Sequence, residues 1–240
     1  MFGQSSPALT RIFTEIKDAV FPRFCLICCE EGSLLCGICR SDWTAHAPKT
    51  VCSACESPSA FGAYCMTCRG DDMPSGKISS FHYGDPVVRG LLRAWKYHYD
   101  MQGFEILKDA IPLEPLRDLI EAKKIDTIVP LPLHVRKACR RGFDQAEMIA
   151  TYLGDRLDLP VKRFLARSIY TKTQAEQQIA DRKHSMVKSP FILTNKEYKN
   201  ERVLLVDDVW TTGATASAAA RTLLEGGVEE VWVYAVAEGG

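Results

Sequence analysis

Val203-Leu204-Leu205-Val206-Asp207-Asp208-Val209-Trp210-Thr211-Thr212-Gly213-Ala214-Thr215 is an apolar run that leads into two acids and a turn of small residues. The four Val and Leu residues predict a strand buried on both faces, and Ala214 to Leu224 predicts the helix that follows it. The turn between them then faces a crevice. An anion there meets free backbone N–H groups and the positive end of the helix dipole, with Gly213 allowing close approach and the Thr hydroxyls donating further bonds. Asp207 and Asp208 need a different task beside such an anion. Two carboxylates accept hydrogen bonds from vicinal sugar hydroxyls, directly or through a divalent cation with oxygen ligands. Alternatively, they simply cap the next helix.

Outward from this stretch, strands and helices alternate. Ile78 to Tyr83, Ile125 to Val129, Phe191 to Leu193 and Val231 to Val236 read as strands. Val87, Val88, Leu91, Leu92 and Trp95 recur at helical spacing, and Ala146 to Leu157 and Gln174 to Val187 also read as helices. The expected fold is α/β, a mainly parallel sheet flanked by helices. After Val129 the prolines of Pro130-Leu131-Pro132-Leu133-His134 stop both helix and sheet, so this is a strand-exit loop. Ligands of such sheets sit at the carboxyl ends of strands, so the loops after Val129 and Val206 are expected to face one another. The first of them carries Arg136, Lys137, Arg140 and Arg141, a density of cation suited to pyrophosphate or a nucleic-acid backbone, or else a solvated face. His134 is a candidate acid or phosphate contact, although a lone loop histidine is more often a surface or packing residue.

Nine of the ten cysteines precede residue 69, and eight form CxxC pairs: Cys25 with Cys28, Cys36 with Cys39, Cys52 with Cys55, and Cys65 with Cys68. Thiolates at this spacing favour zinc, and four protein ligands leave no position open for water, so two structural zinc ions are expected. An iron–sulfur cluster or redox chemistry would use the same spacing. The pairs close sequentially or interleave, and Cys29 is a spare thiol or a substitute for Cys28. Segments this short bury too little apolar area to fold alone, so metal would supply much of their folding free energy. The module resembles a double zinc ribbon.

With 240 residues and 46% apolar content the chain has room for one large domain plus an appendage. Its 30 Lys and Arg balance 30 Asp and Glu, which excludes a global field drawing it to nucleic acid or membrane. Residues 1–24 carry Phe13, Ile16, Ala19 and Val20 on one helical face, interrupted by Arg11, Glu15, Lys17 and Asp18. That pattern is neither a signal peptide nor a membrane span, and a cytoplasmic location is expected. The expected divisions are an N-terminal helical segment (1–24), the double ribbon (25–69), a polar linker (70–77) and the α/β domain (78–240).

The stretch around Asp207 closely resembles the 5-phosphoribosyl-1-pyrophosphate (PRPP) signature of type I phosphoribosyltransferases. Four CxxC knuckles, Trp95-Lys96-Tyr97, Val129 to His134, Arg141-Gly142-Phe143-Asp144-Gln145 and this signature together resemble the ComF family of competence-associated proteins. The resemblance implies PRPP and magnesium at a site where Asp207 and Asp208 hold ribose hydroxyls, and Val209, Thr211, Thr212, Gly213, Ala214 and Thr215 hold the 5′-phosphate. It implies that Pro132, Leu133 and His134 form the pyrophosphate loop, with Arg136, Arg140 and Arg141 supplying its charge. It also implies either a transferase that expels pyrophosphate or a noncatalytic adaptor in DNA uptake that contacts single-stranded DNA or a helicase. Two positions depart from the family pattern: Asp144 stands where Asn is usual, and Ser185 or Met186 replaces an Asn near residue 185. An acid beside pyrophosphate weakens binding unless a cation intervenes. Trp210 is expected either to stack on a ring or to be buried against the neighbouring helix.

Overall fold

The computed structural model describes residues 22–45, 49–70, 73–133, 142–167, 189–194 and 198–239. The N-terminal segment expected over 1–24 lies almost wholly outside them, as does the helix expected over Gln174 to Val187. The chain divides into two compact units, Met1–Ala45 with Gly84–Asp109, and His46–Tyr83 with Ala110–Gly240.

In the first unit the cysteine hairpin of residues 25–39 runs into a short helix, α1 (Gly37–Asp42), and packs on α2 (Pro86–His98) and α3 (Met101–Ala110). The start of α2 is set by Asp85, which accepts hydrogen bonds from Val87 N and Val88 N at 2.7 and 3.2 Å, with Pro86 placed where no N–H is needed. It ends at Tyr99 in the left-handed region. Its apolar face, Val87, Val88, Leu91, Leu92 and Trp95, is buried as the helical spacing predicts. Trp95 stacks on Phe104 of α3 at 4.7 Å. Leu26 lies against Gly90, where a β-carbon would come within 2.8 Å of its side chain. Arg23 to Asp100 at 2.6 Å and Leu34 N to Gln102 Oε1 at 2.6 Å tie the hairpin down.

The second unit is built on β1 (Gly76–His82), β2 (Thr127–Pro130), β5 (Arg202–Trp210) and β6 (Glu230–Glu238), with α4 (Glu114–Lys123), α5 (Gln145–Leu157) and α6 (Ala214–Glu225) between them in the chain. A separate antiparallel pair comprises β3 (Leu165–Arg167) and β4 (Phe191–Leu193). The main sheet has the order β1-β6-β5-β2, and every pairing in it is parallel. The expected parallel α/β sheet with flanking helices is what the chain forms. Its central strands are buried on both faces: Val203 to Val206 and Val231 to Ala237 are all at most 2% exposed. α6 closes one face with Ala216, Ala219, Ala220 and Leu223, side chains small enough for close approach to Leu205 and Val233.

One strand boundary moves in a way that bears on the site. The apolar run ends at Val206, yet β5 continues to Trp210 because β6 pairs with it as far as Glu238. β2 stops earlier, its Pro130 opposite Val206. Asp207 and Asp208 therefore lie within the strand, on the stretch that β2 no longer covers.

Candidate functional site

Asp207, Asp208 and Val209 are all half-buried in the last third of β5. Asp207 Oδ1 accepts a hydrogen bond from Asp208 N at 2.8 Å. The chain then turns through Thr211 and Thr212, both exposed, to Gly213, which is buried with a left-handed φ of 73° and serves as the N-cap of α6. Gly213 has no side chain to cap the helix, whose first intrahelical bond runs from Ser217 N to Gly213 O at 2.8 Å. Thr212 Oγ1 accepts from Ala214 N at 3.4 Å. Ala214 and Thr215 are exposed. The sequence thus folds into an accessible turn that presents helix N–H groups and hydroxyls to solvent beside two carboxylates, the donor set suited to an anionic ester next to a diol.

The exit of β2 adjoins this corner. Leu131 N donates to Val206 O at 2.9 Å, so Pro132 and Leu133, both half-buried, leave the sheet from beside the residue that precedes Asp207. The two loops expected to face one another do start on neighbouring strands. His134, Arg136, Lys137, Arg140 and Arg141 lie outside the described residues.

Asp144 has a local task. Its Oδ1 caps α5, accepting from Ala146 N at 3.0 Å and Glu147 N at 3.3 Å, and its Oδ2 accepts from Leu133 N at 3.2 Å. Burial holds its carboxyl above the usual carboxylate range, against the lowering effect of these three N–H donors. The acid that departs from the family pattern therefore fastens the exit loop of β2 to the start of a helix. Its position immediately before the helical pattern was the available signal for a cap. Trp210 is 8% exposed and packs within the core, so of its two expected roles burial is the one observed.

The cysteines form two groups, Cys25, Cys28, Cys36 and Cys39, and Cys52, Cys55, Cys65 and Cys68, with all sulfurs of a group within 4.8 Å of one another. Closure is sequential, not interleaved. A tetrahedral ion with metal–sulfur bonds of about 2.3 Å places its sulfurs about 3.8 Å apart. Cys28 and Cys36 Sγ are 3.7 Å apart, and Cys55 and Cys65 Sγ 3.6 Å, so the thiols fit such an ion. Each group could hold a metal ion, and the all-sulfur donor set favours zinc. Cys29 is excluded from its group. It adopts φ 60° and donates its N–H to Cys25 O at 2.9 Å, just as Glu56, φ 58°, donates to Cys52 O at 2.9 Å. The residue after the first CxxC is a left-handed turn in both repeats.

The thiols also carry the electrostatic signature of a crowded cluster. The Cys28 N–H, with that of Cys36, draws Cys25 down to about 6, and the Cys65 N–H does the same for Cys52, to about 6. Cys36 in turn pushes Cys39 well above the thiol range, and Cys65 pushes Cys68 up to about 12. Once one thiolate forms, its neighbours resist ionising until a cation compensates.

The second group is joined to the sheet of its own unit. Residues Ala60–Gly62 form a 3₁₀ turn, Ala63 bridges Gly76, Tyr64 N donates to Ser75 O at 2.9 Å, and Ser75 N donates to Val231 O at 2.7 Å.

A phosphoribosyl transferase domain family matches residues 138–240. Competence protein F of Haemophilus influenzae is 35% identical over 120 residues, 49% of this chain and 52% of that protein. Competence protein ComFC of Bacillus subtilis is 28% identical over 205 residues, 80% of this chain and 79% of that protein. The chain is similar to the ComF competence proteins over these spans. Its match spans about half the length of the Haemophilus protein and about four fifths of the Bacillus one. Among solved structures, adenine phosphoribosyltransferase from Saccharomyces cerevisiae is 20% identical with a TM-score of 0.37, covering 59% of this chain and 71% of that one. No described helix is long and apolar enough to cross a membrane.

Proposed function

We propose that this chain is a cytoplasmic binder of PRPP or a related ribose 5-phosphate with magnesium, acting in DNA uptake and natural transformation. The observation that carries the proposal is the accessible 211–215 turn at the start of α6, next to half-buried Asp207 and Asp208 and beside the exit of β2. Amides and hydroxyls of Thr211 to Thr215 hold the 5′-phosphate. Asp207 and Asp208 accept from the ribose hydroxyls. Hard carboxylate oxygens also suit magnesium, which, when bound, supplies positive charge to the pyrophosphate. In a transfer reaction pyrophosphate would leave the anomeric carbon, with Arg136 or Arg141 stabilising its charge. The link to DNA uptake rests on the competence proteins to which the chain is similar.

A noncatalytic adaptor is the second reading, and a specific feature favours it. Ile38 and Met66 stand 73% and 98% exposed between the cysteines of the last CxxC of each group, apolar contacts offered to a partner such as a helicase. Calorimetric titration of PRPP with magnesium into the parent, Asp207→Asn and Asp208→Asn separates the two readings, alongside single-stranded DNA binding across a salt series. PRPP affinity that drops in both variants supports the ribose-phosphate site. DNA binding with a steep salt slope and no PRPP heat supports the adaptor and overturns the site.

A further inference from the structure

Beneath the 211–215 turn lies a ring. Trp210 closes β5, and its carbonyl accepts from Gly239 N at 2.8 Å. Its indole packs on the α-carbon of Gly213 so closely that a β-carbon there would lie 2.1 Å from Cζ2 and 2.6 Å from Cη2. The Lys77 ammonium, carried by β1, stands 5.5 Å from the centroid of this ring. The same ammonium is ion-paired with the Glu238 carboxylate at the end of β6, and the two side chains are only 13% and 19% exposed. Three strands thus converge on the ring that supports the turn. A charge held this far from water is costly unless partnered, and Glu238 is that partner. An uncharged residue at 77 would fill similar space without that cost. What the ammonium adds is attraction to the face of the indole, which restricts how the ring can lie.

We propose that the Lys77–Glu238 pair is a positioning device for the phosphate turn, fixing the Trp210 ring beneath Gly213 so that the amides of the turn converge on one anionic ester. The device rests on the ribose-phosphate reading given above. Lys77 and Glu238 touch no ligand in it; they act through Trp210. Nothing in the local sequence announces the pair, whose members are 161 residues apart.

Ribose 5-phosphate is the probe, read by binding affinity and by the emission of Trp210. The chain has four tryptophans, so the Trp210 signal is the difference between the parent and Trp210→Phe. The test variant is Lys77→Met/Glu238→Gln, which removes both charges and strands neither; Lys77→Arg with Glu238 intact is the rescue. The parent is expected to show a saturable change in Trp210 emission with ribose 5-phosphate. In the double variant the unliganded Trp210 emission is already shifted and affinity falls about tenfold, the scale of one lost cation–π contact with partial desolvation. Its unfolding midpoint and bound metal stay at the parental values, and Lys77→Arg restores most of the affinity. Parental affinity in the double variant overturns the positioning role while leaving the site intact. So does an affinity loss that only tracks a falling unfolding midpoint. A parent that does not bind ribose 5-phosphate overturns the site itself, and the device with it.

Discussion

Gly213→Ala isolates the geometry of the phosphate turn in a single methyl group. At φ 73° an alanine backbone is strained by about 1–2 kcal/mol. The added methyl also meets the Trp210 ring at 2.1 Å, far inside van der Waals contact, and forcing such an overlap costs about 1–3 kcal/mol more. Reduced freedom of the unfolded chain offsets about 0.5 kcal/mol of this. The net expectation is a loss of about 2–4 kcal/mol, measured by urea unfolding followed by circular dichroism. The two contributions separate in a double-mutant cycle. In a Trp210→Leu background the ring is gone, so Gly213→Ala should cost only its backbone strain, leaving a coupling of about 1–3 kcal/mol between the positions. Equal costs in both backgrounds would refute the contact, and a cost below about 0.5 kcal/mol in the parent would refute the left-handed turn as well.

The two cysteine groups should behave differently when broken. Elemental analysis should find two metal ions, and Cys52→Ser should expose amides 75–79 to hydrogen exchange through the Tyr64–Ser75–Val231 bonds, whereas Cys25→Ser should leave that segment protected. Asp144→Ala should cost about 1–2 kcal/mol by removing a helix cap, with Asp144→Asn costing less because its amide oxygen still accepts from Ala146 and Glu147. The pH response follows from the raised carboxyl of Asp144. Its protonation stabilises the fold below the ordinary carboxylate range, and that contribution is lost as pH rises through the elevated folded value. Across that window the parent should lose stability relative to Asp144→Asn, as denaturation at stepped pH would show.

Much of the α/β unit was legible because its strands and helices carry strong periodicity. Val203 to Val206, Val231 to Val236 and Ala146 to Leu157 all lie in elements of the expected type, and the α6 start at Ala214 agrees to the residue. Short segments were harder. β4, Phe191–Leu193, was read at its observed bounds, but β3, also of three residues, was not expected, and no local pattern reveals that the two pair. α3 and α4 lie in a span where no helix was expected, and part of what α3 buries is the face it shares with Trp95. The strand status of Asp207 and Asp208 is a tertiary effect, imposed by the length of β6 on residues whose own strand propensity is low. Of the candidate site, Asp207 to Thr215 were put forward from their residue types together with the resemblance. The grouping of the cysteines into sequential tetrads, the tether from Asp144 to Leu133, and the Lys77–Trp210–Glu238 contact were not, since each depends on how separated segments meet.

The most direct measurement is a crystal structure of the protein soaked with PRPP and magnesium. The account predicts the 5′-phosphate on the backbone amides of residues 212–215, the ribose hydroxyls on Asp207 and Asp208, and the pyrophosphate directed toward the Pro132–Leu133 exit of β2. Density for PRPP elsewhere on the chain, or a 211–215 turn left empty at saturating ligand, would contradict it.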